Sequence, residues 1–172
     1  EDLMKENGIP LLSMESHTPV SEFDMVGFTL QYEMSYSNVV NMLKMAGIPL
    51  KSSERTIENP FICAGGPCTC NAEPMADFFD FMFLGEGEYH TVEVCNKLNE
   101  LKKAGKTKQE ILVELSKIEG IYVPSLYDIE YNEDKTIKSV SSDTAPIPCS
   151  KAIVRDFKNL PFPTDVAVPM IG

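Results

Sequence analysis

No apolar run in the 172 residues approaches the roughly 18 that a membrane-crossing helix needs, and no signal peptide opens the chain. Cysteine is sparse and unpaired in pattern. Cys63, Cys68, Cys70, Cys95 and Cys149 are an odd number with no Cys-x-x-Cys among them, which excludes a secreted disulfide framework and predicts reduced thiols in the cytoplasm. Cys68-Thr69-Cys70 falls short of the four spaced ligands of a structural zinc site. Histidine is scarcer still. His17 lies in a loop and His90 in the first turn of a helix, and neither has a triad-like neighbour. No Gly-x-x-x-x-Gly-Lys-Ser/Thr phosphate loop occurs. Bases are outnumbered, 15 against 26 acids, for a net charge of −11. That excludes nucleic acid and anionic membrane as direct electrostatic partners of this segment. The densest basic run, Lys97, Lys102, Lys103, Lys106 and Lys108, is broken by Glu100 and reads as the solvated side of a helix. With no nucleophile, ligand set or acid–base pair, the segment is expected to catalyse nothing by itself.

What is present is globular: 43% apolar and 24% charged residues, enough chain for one core without staples. Short apolar runs at Asp24–Leu30, Phe61–Ala64 and Phe79–Leu84 read as strands buried on both faces of a parallel sheet. Helical spacing separates them. Val39, Val40, Leu43 and Ala46 form one stripe, which Ser35 or Ser37 can cap and Gly47 can end. Asn71 and Pro74 open a short helix. Val92, Cys95, Leu98 and Leu101 form the stripe of a helix over 88–104. Thr107 and Glu110 make a capping box for another that runs to Gly120. The expected fold is therefore α/β, a flavodoxin- or Rossmann-like three-layer sandwich over 1–120. A β-hairpin follows over 121–145, and then a proline-rich linker over 146–172 carrying Pro146, Pro148, Pro161 and Pro163. Both ends read as cut from a longer protein, and a sheet missing its first strand would leave an edge near Glu1 prone to pair with a second copy.

Parallel sheets bind ligands at the carboxyl ends of their strands. Here those ends carry Thr29 and Gln31, then Gly65-Gly66-Pro67, then Gly85-Glu86-Gly87. The glycines suit close approach by a flat ligand, or equally a tight turn. Glu86 and Glu88 suit hydrogen bonding to a ligand, or equally the dipole of the helix that follows. Each motif alone favours the structural alternative.

Taken together, the order Asp24–Thr29, Cys63-Ala64-Gly65-Gly66-Pro67 and Phe79–Glu88 resembles the amino-terminal half of cobalamin-binding radical SAM proteins. Arg155–Thr164 is similar to the connector before the radical SAM barrel of that family. Glu33, Ser35, Tyr36, Asn38 and Ala46–Leu50 resemble one uncharacterised branch of it. The resemblance covers about 10–172. It implies cobalamin contact through Thr29, Gln31, Gly65, Gly66, Pro67, Gly85, Glu86 and Gly87, with Thr29 facing the nucleotide tail and Gly65 and Gly66 letting it pass. It also implies a downstream barrel of the same chain, whose Cys-x-x-x-Cys-x-x-Cys would hold a [4Fe–4S] cluster and S-adenosylmethionine. Neither that motif nor the family's cobalt-ligating Asp-x-His-x-x-Gly occurs in these residues.

Overall fold

The computed structural model describes residues 1–160; the end of the expected linker, with Pro161, Phe162 and Pro163, lies outside the described residues. Strands β1 (Met25–Thr29), β2 (Phe61–Gly65) and β3 (Phe81–Phe83) are parallel neighbours, in the register Val26 to Ile62 and Cys63 to Phe81. A short β4 (Ile121–Tyr122) pairs antiparallel with β3, so the order is β1-β2-β3-β4. The edges are β1 and the short β4; the residues beside Glu1 belong to neither and form a short helix α1 (Asp2–Glu6).

Alternation along β2 divides the core in two. Ile62 and Ala64, with Met82 of β3, pack against Val39 and Leu43 of α2 (Tyr36–Met45). Phe61, Cys63 and Phe81 pack on the opposite face against α3 (His90–Lys103) and α4 (Lys108–Leu115). Helices thus cover both faces, the three-layer arrangement expected. The stripe of α3 is Val94, Leu98 and Leu101; Val92 and Cys95 are exposed, because a step of four then three residues from Val94 faces the sheet.

Other local expectations shift. Ser35 bonds back to the Tyr32 carbonyl and leaves α2 without a side-chain cap. The short helix expected at Asn71 is two 3-10 segments, Pro67–Asn71 and Glu73–Phe78, neither capped by Asn71. The capping box of α4 forms as expected, with Thr107 Oγ1 accepting the Glu110 N–H at 3.3 Å and Glu110 accepting the Thr107 N–H at 2.9 Å.

At the amino end of β3 a charge is buried. Asp80 accepts Arg55 Nε at 3.1 Å, Lys108 Nζ at 2.7 Å, Ser52 Oγ at 2.7 Å and the Ile62 N–H at 2.7 Å. Arg55 spends its other donors on the carbonyls of Pro49, Leu50 and Phe78. Every partner is satisfied, which makes this a structural knot. Beyond the sheet, β5 (Asp128–Tyr131) and β6 (Ile137–Ser141) form the expected hairpin, with every residue of β6 exposed; Ile121 and Tyr122, expected within the hairpin segment, instead join the sheet as β4 because they pair with Met82 and Phe83.

Candidate functional site

The carboxyl ends of β1, β2 and β3 converge, and backbone fills much of the space between them. Leu30 donates its N–H to the Gly65 carbonyl at 2.7 Å and accepts the Cys68 N–H at 3.0 Å. Gly66 sits at φ +99°, and a Cβ there would lie 2.9 Å from the Leu30 carbonyl oxygen. Only glycine tolerates both the angle and the approach. Gly65, by contrast, has room: the nearest atom to its Cβ position is 3.8 Å away. Thr69 is buried, and its hydroxyl lies 2.8 Å from the carbonyl oxygens of both Gly66 and Phe83, tying the turn after β2 to β3. Thr29, Gln31 and Pro67 are exposed around this junction.

The end of β3 is occupied differently. Residue 152, far along the linker, forms a parallel bridge to Gly85. Ala152 donates its N–H to the Leu84 carbonyl at 2.8 Å and accepts the Glu86 N–H at 3.1 Å. The Glu86 carboxylate accepts the N–H of Val154. Gly85, at φ +95°, leaves no space for a side chain: its Cβ would fall against the Ala152 carbonyl oxygen and 2.9 Å from the Ala152 nitrogen. Gly120 lies under the same residue, its Cβ position 2.7 Å from both Ala152 Cβ and the Leu84 oxygen. Gly87 borders Thr91. Nothing in the sequence singles out Ala152 or Val154, because they bond through their own backbone to Leu84 and Glu86, some 68 residues away; Gly120 reads from sequence only as a helix stop.

Histidine and cysteine contribute no centre. His90 opens α3, and its Nδ1 has no hydrogen-bond partner among the described residues. Burial pushes the Cys63 thiol up to about 12. No group of three or more metal-ligating side chains occurs among the described residues. A cleft of about 640 Å³ separates the hairpin from the body, lined by Ser52, Asp77, Gln109, Tyr127, Ile129 and Tyr131 among others. On its wall Glu73 accepts a hydrogen bond from Tyr122, whose phenol is raised by burial and then by that bond.

A sequence profile for a family described as radical SAM proteins, N-terminal, matches residues 1–124. The chain belongs to this family. The match takes in the whole four-stranded sheet and α1 to α4 and stops before the hairpin. An uncharacterized protein of Methanocaldococcus jannaschii is 34% identical over 76 residues, 44% of this chain and 16% of the relative. The chain thus aligns with a small part of that longer protein. No solved structure matches. In this radical SAM N-terminal domain, then, the strand ends expected to be open are partly closed by the chain's own backbone. Among the described residues no helix is long and apolar enough to cross a membrane.

Proposed function

We propose that this domain is the non-catalytic accessory part of a radical SAM enzyme and that the carboxyl ends of its parallel strands face the barrel that follows. The observation that carries this reading is the family match over residues 1–124. The geometry supports the direction. The linker runs parallel to the end of β3 at Ala152, heading in the same direction as the strands. Exposed apolar side chains belong to the loops and helix start there: Tyr32 and Met34 after β1, Tyr89 and Val92 after β3, and Ile153 and Phe157 in the linker. Met34 and Phe157 are 73% and 71% exposed. An exposed apolar rim at this end, one of several exposed apolar regions on the domain, suits a protein neighbour. A barrel tethered a few residues on meets that requirement at high effective concentration.

The cluster and S-adenosylmethionine belong to the barrel in this reading, since no group of three or more metal-ligating side chains occurs among the described residues. Cobalamin fits poorly. A nucleotide tail passing Gly65 and Gly66 would find room at Gly65 but meet the Leu30 backbone at Gly66, and the space at Gly85 is filled by Ala152. Thr29, Gln31, Gly65 and Pro67 remain accessible, so a corrin could lie only on the outside of the sheet end. Titration with hydroxocobalamin, followed by desalting, is expected to leave the protein colourless; a retained red chromophore would restore cobalamin to the domain.

The decisive experiment is to read the parent gene past the codon for Gly172. A Cys-x-x-x-Cys-x-x-Cys motif is expected within about 30 codons, at the first strand of a (β/α) barrel. A gene that stops there, or continues without those cysteines, overturns the reading.

A further inference from the structure

We propose that Gly85, Glu86 and Gly120 form a seat for the chain's own segment 151–154, which fixes where and in what direction the polypeptide leaves the domain. Four features make the contact a built one. Ala152 is 2% exposed although it belongs to a linker. Its N–H and carbonyl are both used, by Leu84 and Glu86. The two glycines beneath it present no side chain where one would collide with it. The Glu86 carboxylate then takes the N–H of Val154, two residues on. An extended strand bonds its odd and even residues to opposite sides, so holding 152 and 154 together clamps the segment along one edge.

The seat also selects what it holds. Gly120 has Ala152 Cβ against it, and the Leu84 oxygen closes the same space. A residue larger than alanine at 152 has nowhere to go without moving backbone. The Gly-Glu-Gly sequence after β3 is therefore a receptor for an extended chain with a small residue at its centre. Glu86 is a positioning residue: it acts on the linker and through it on whatever the linker carries. The seat takes its purpose from the proposed function, since a fixed exit at the sheet's carboxyl end would orient a following barrel. Its existence is testable without that barrel.

The test is amide hydrogen exchange by NMR on the 172-residue chain. The amides of Glu86, Ala152 and Val154 are expected to be protected. Glu86→Ala should speed exchange at Val154 about tenfold or more, the loss of one charge-assisted bond, and leave the Ile62 amide, held by Asp80, unchanged. Ala152→Pro removes the donor to Leu84 and should release the Glu86 amide by a similar factor. Because the segment is peripheral to both cores, these variants are expected to stay folded, and the Ile62 amide reports if they do not. Exchange at Ala152 and Val154 at the rate of an unstructured chain overturns the seat. So does unchanged protection in both variants. If the seat holds and the gene lacks the cluster cysteines, the radical SAM reading fails alone.

Discussion

Single residues decide how tightly the strand ends close. Gly65 and Gly66 are adjacent and read alike in sequence, yet their surroundings differ by the 2.9 Å approach of Leu30 to one and the 3.8 Å of Phe83 to the other. Gly66→Ala is expected to cost about 1–3 kcal/mol, for backbone strain and displaced chain, while Gly65→Ala stays within roughly 1 kcal/mol. Urea denaturation of the two variants separates them; equal costs would refute the close approach. Asp80 is the other sensitive position. Removing its carboxylate leaves Arg55, fully buried, and Lys108, largely buried, without their counter-charge. Asp80→Ala should destabilise by about 3–5 kcal/mol, read by the same method, against a negligible effect for Lys138→Ala in its exposed pair with Glu130. Cys63 sets a pH limit. Its folded value, about 12, stands above the ordinary 9, so the unfolded chain loses this proton first. Its contribution is whole below pH 9 and falls away as pH rises from 9 toward 12. Cys63→Ser should flatten that alkaline decline in denaturation midpoints; an unchanged decline would assign it to other groups.

At the scale of elements, the sequence was most legible where spacing and capping agree. Helix α4 begins where Thr107 and Glu110 say it should, and Thr107→Ala is expected to lower stability by about 1 kcal/mol, seen as a drop in melting temperature with α4 amides exchanging first. β2 and β3 contain the core of the runs that mark them, because a strand covered on both faces needs apolar residues at every position; β1, expected to be buried likewise, is an edge strand that is only half-buried, with Gly27 and Thr29 exposed. The misread elements share a cause. Val92 and Cys95 have the right spacing for a helix stripe but the wrong phase, and phase depends on which side the sheet lies. Ser35 spends its capping hydroxyl on a local turn, and Asn71 ends a 3-10 segment rather than opening the helix expected there. Of the candidate site, the strand ends were legible and their filling was not. Leu30, Ala152 and Val154 act through backbone atoms, which carry no signature in side-chain sequence. Asp80, Arg55 and Lys108 were likewise missed, since pairs 25 and 28 residues apart become neighbours only in the fold.

For the molecule as a whole, a domain with a net charge of −11 carries an apolar rim at the carboxyl end of its sheet and a buried charge at the amino end. The amino end of the sheet is locked by Asp80 and its partners, while the carboxyl end holds the seated linker and the apolar rim. Stability and interaction are thereby kept apart, and changes on the rim, such as Met34→Lys, should leave the fold intact while weakening contact with a following domain. The hairpin belongs to neither end. It lies past the last residue of the family match, and all of β6 is exposed. Replacing residues 128–141 with a short Gly-Ser bridge should shift the melting temperature by only a few degrees, the effect of about 1 kcal/mol in a domain this size; collapse of the fold would show that the cleft beneath it matters to the core.

A piece so loosely held is where a lineage can experiment. Insertions, deletions and wholesale exchange at β5 and β6 leave the sheet, the knot at Asp80 and the seat at Gly85 untouched, so length variation among related chains should collect there, and a reporter or affinity tag spliced into the turn at 132–135 should be carried without penalty.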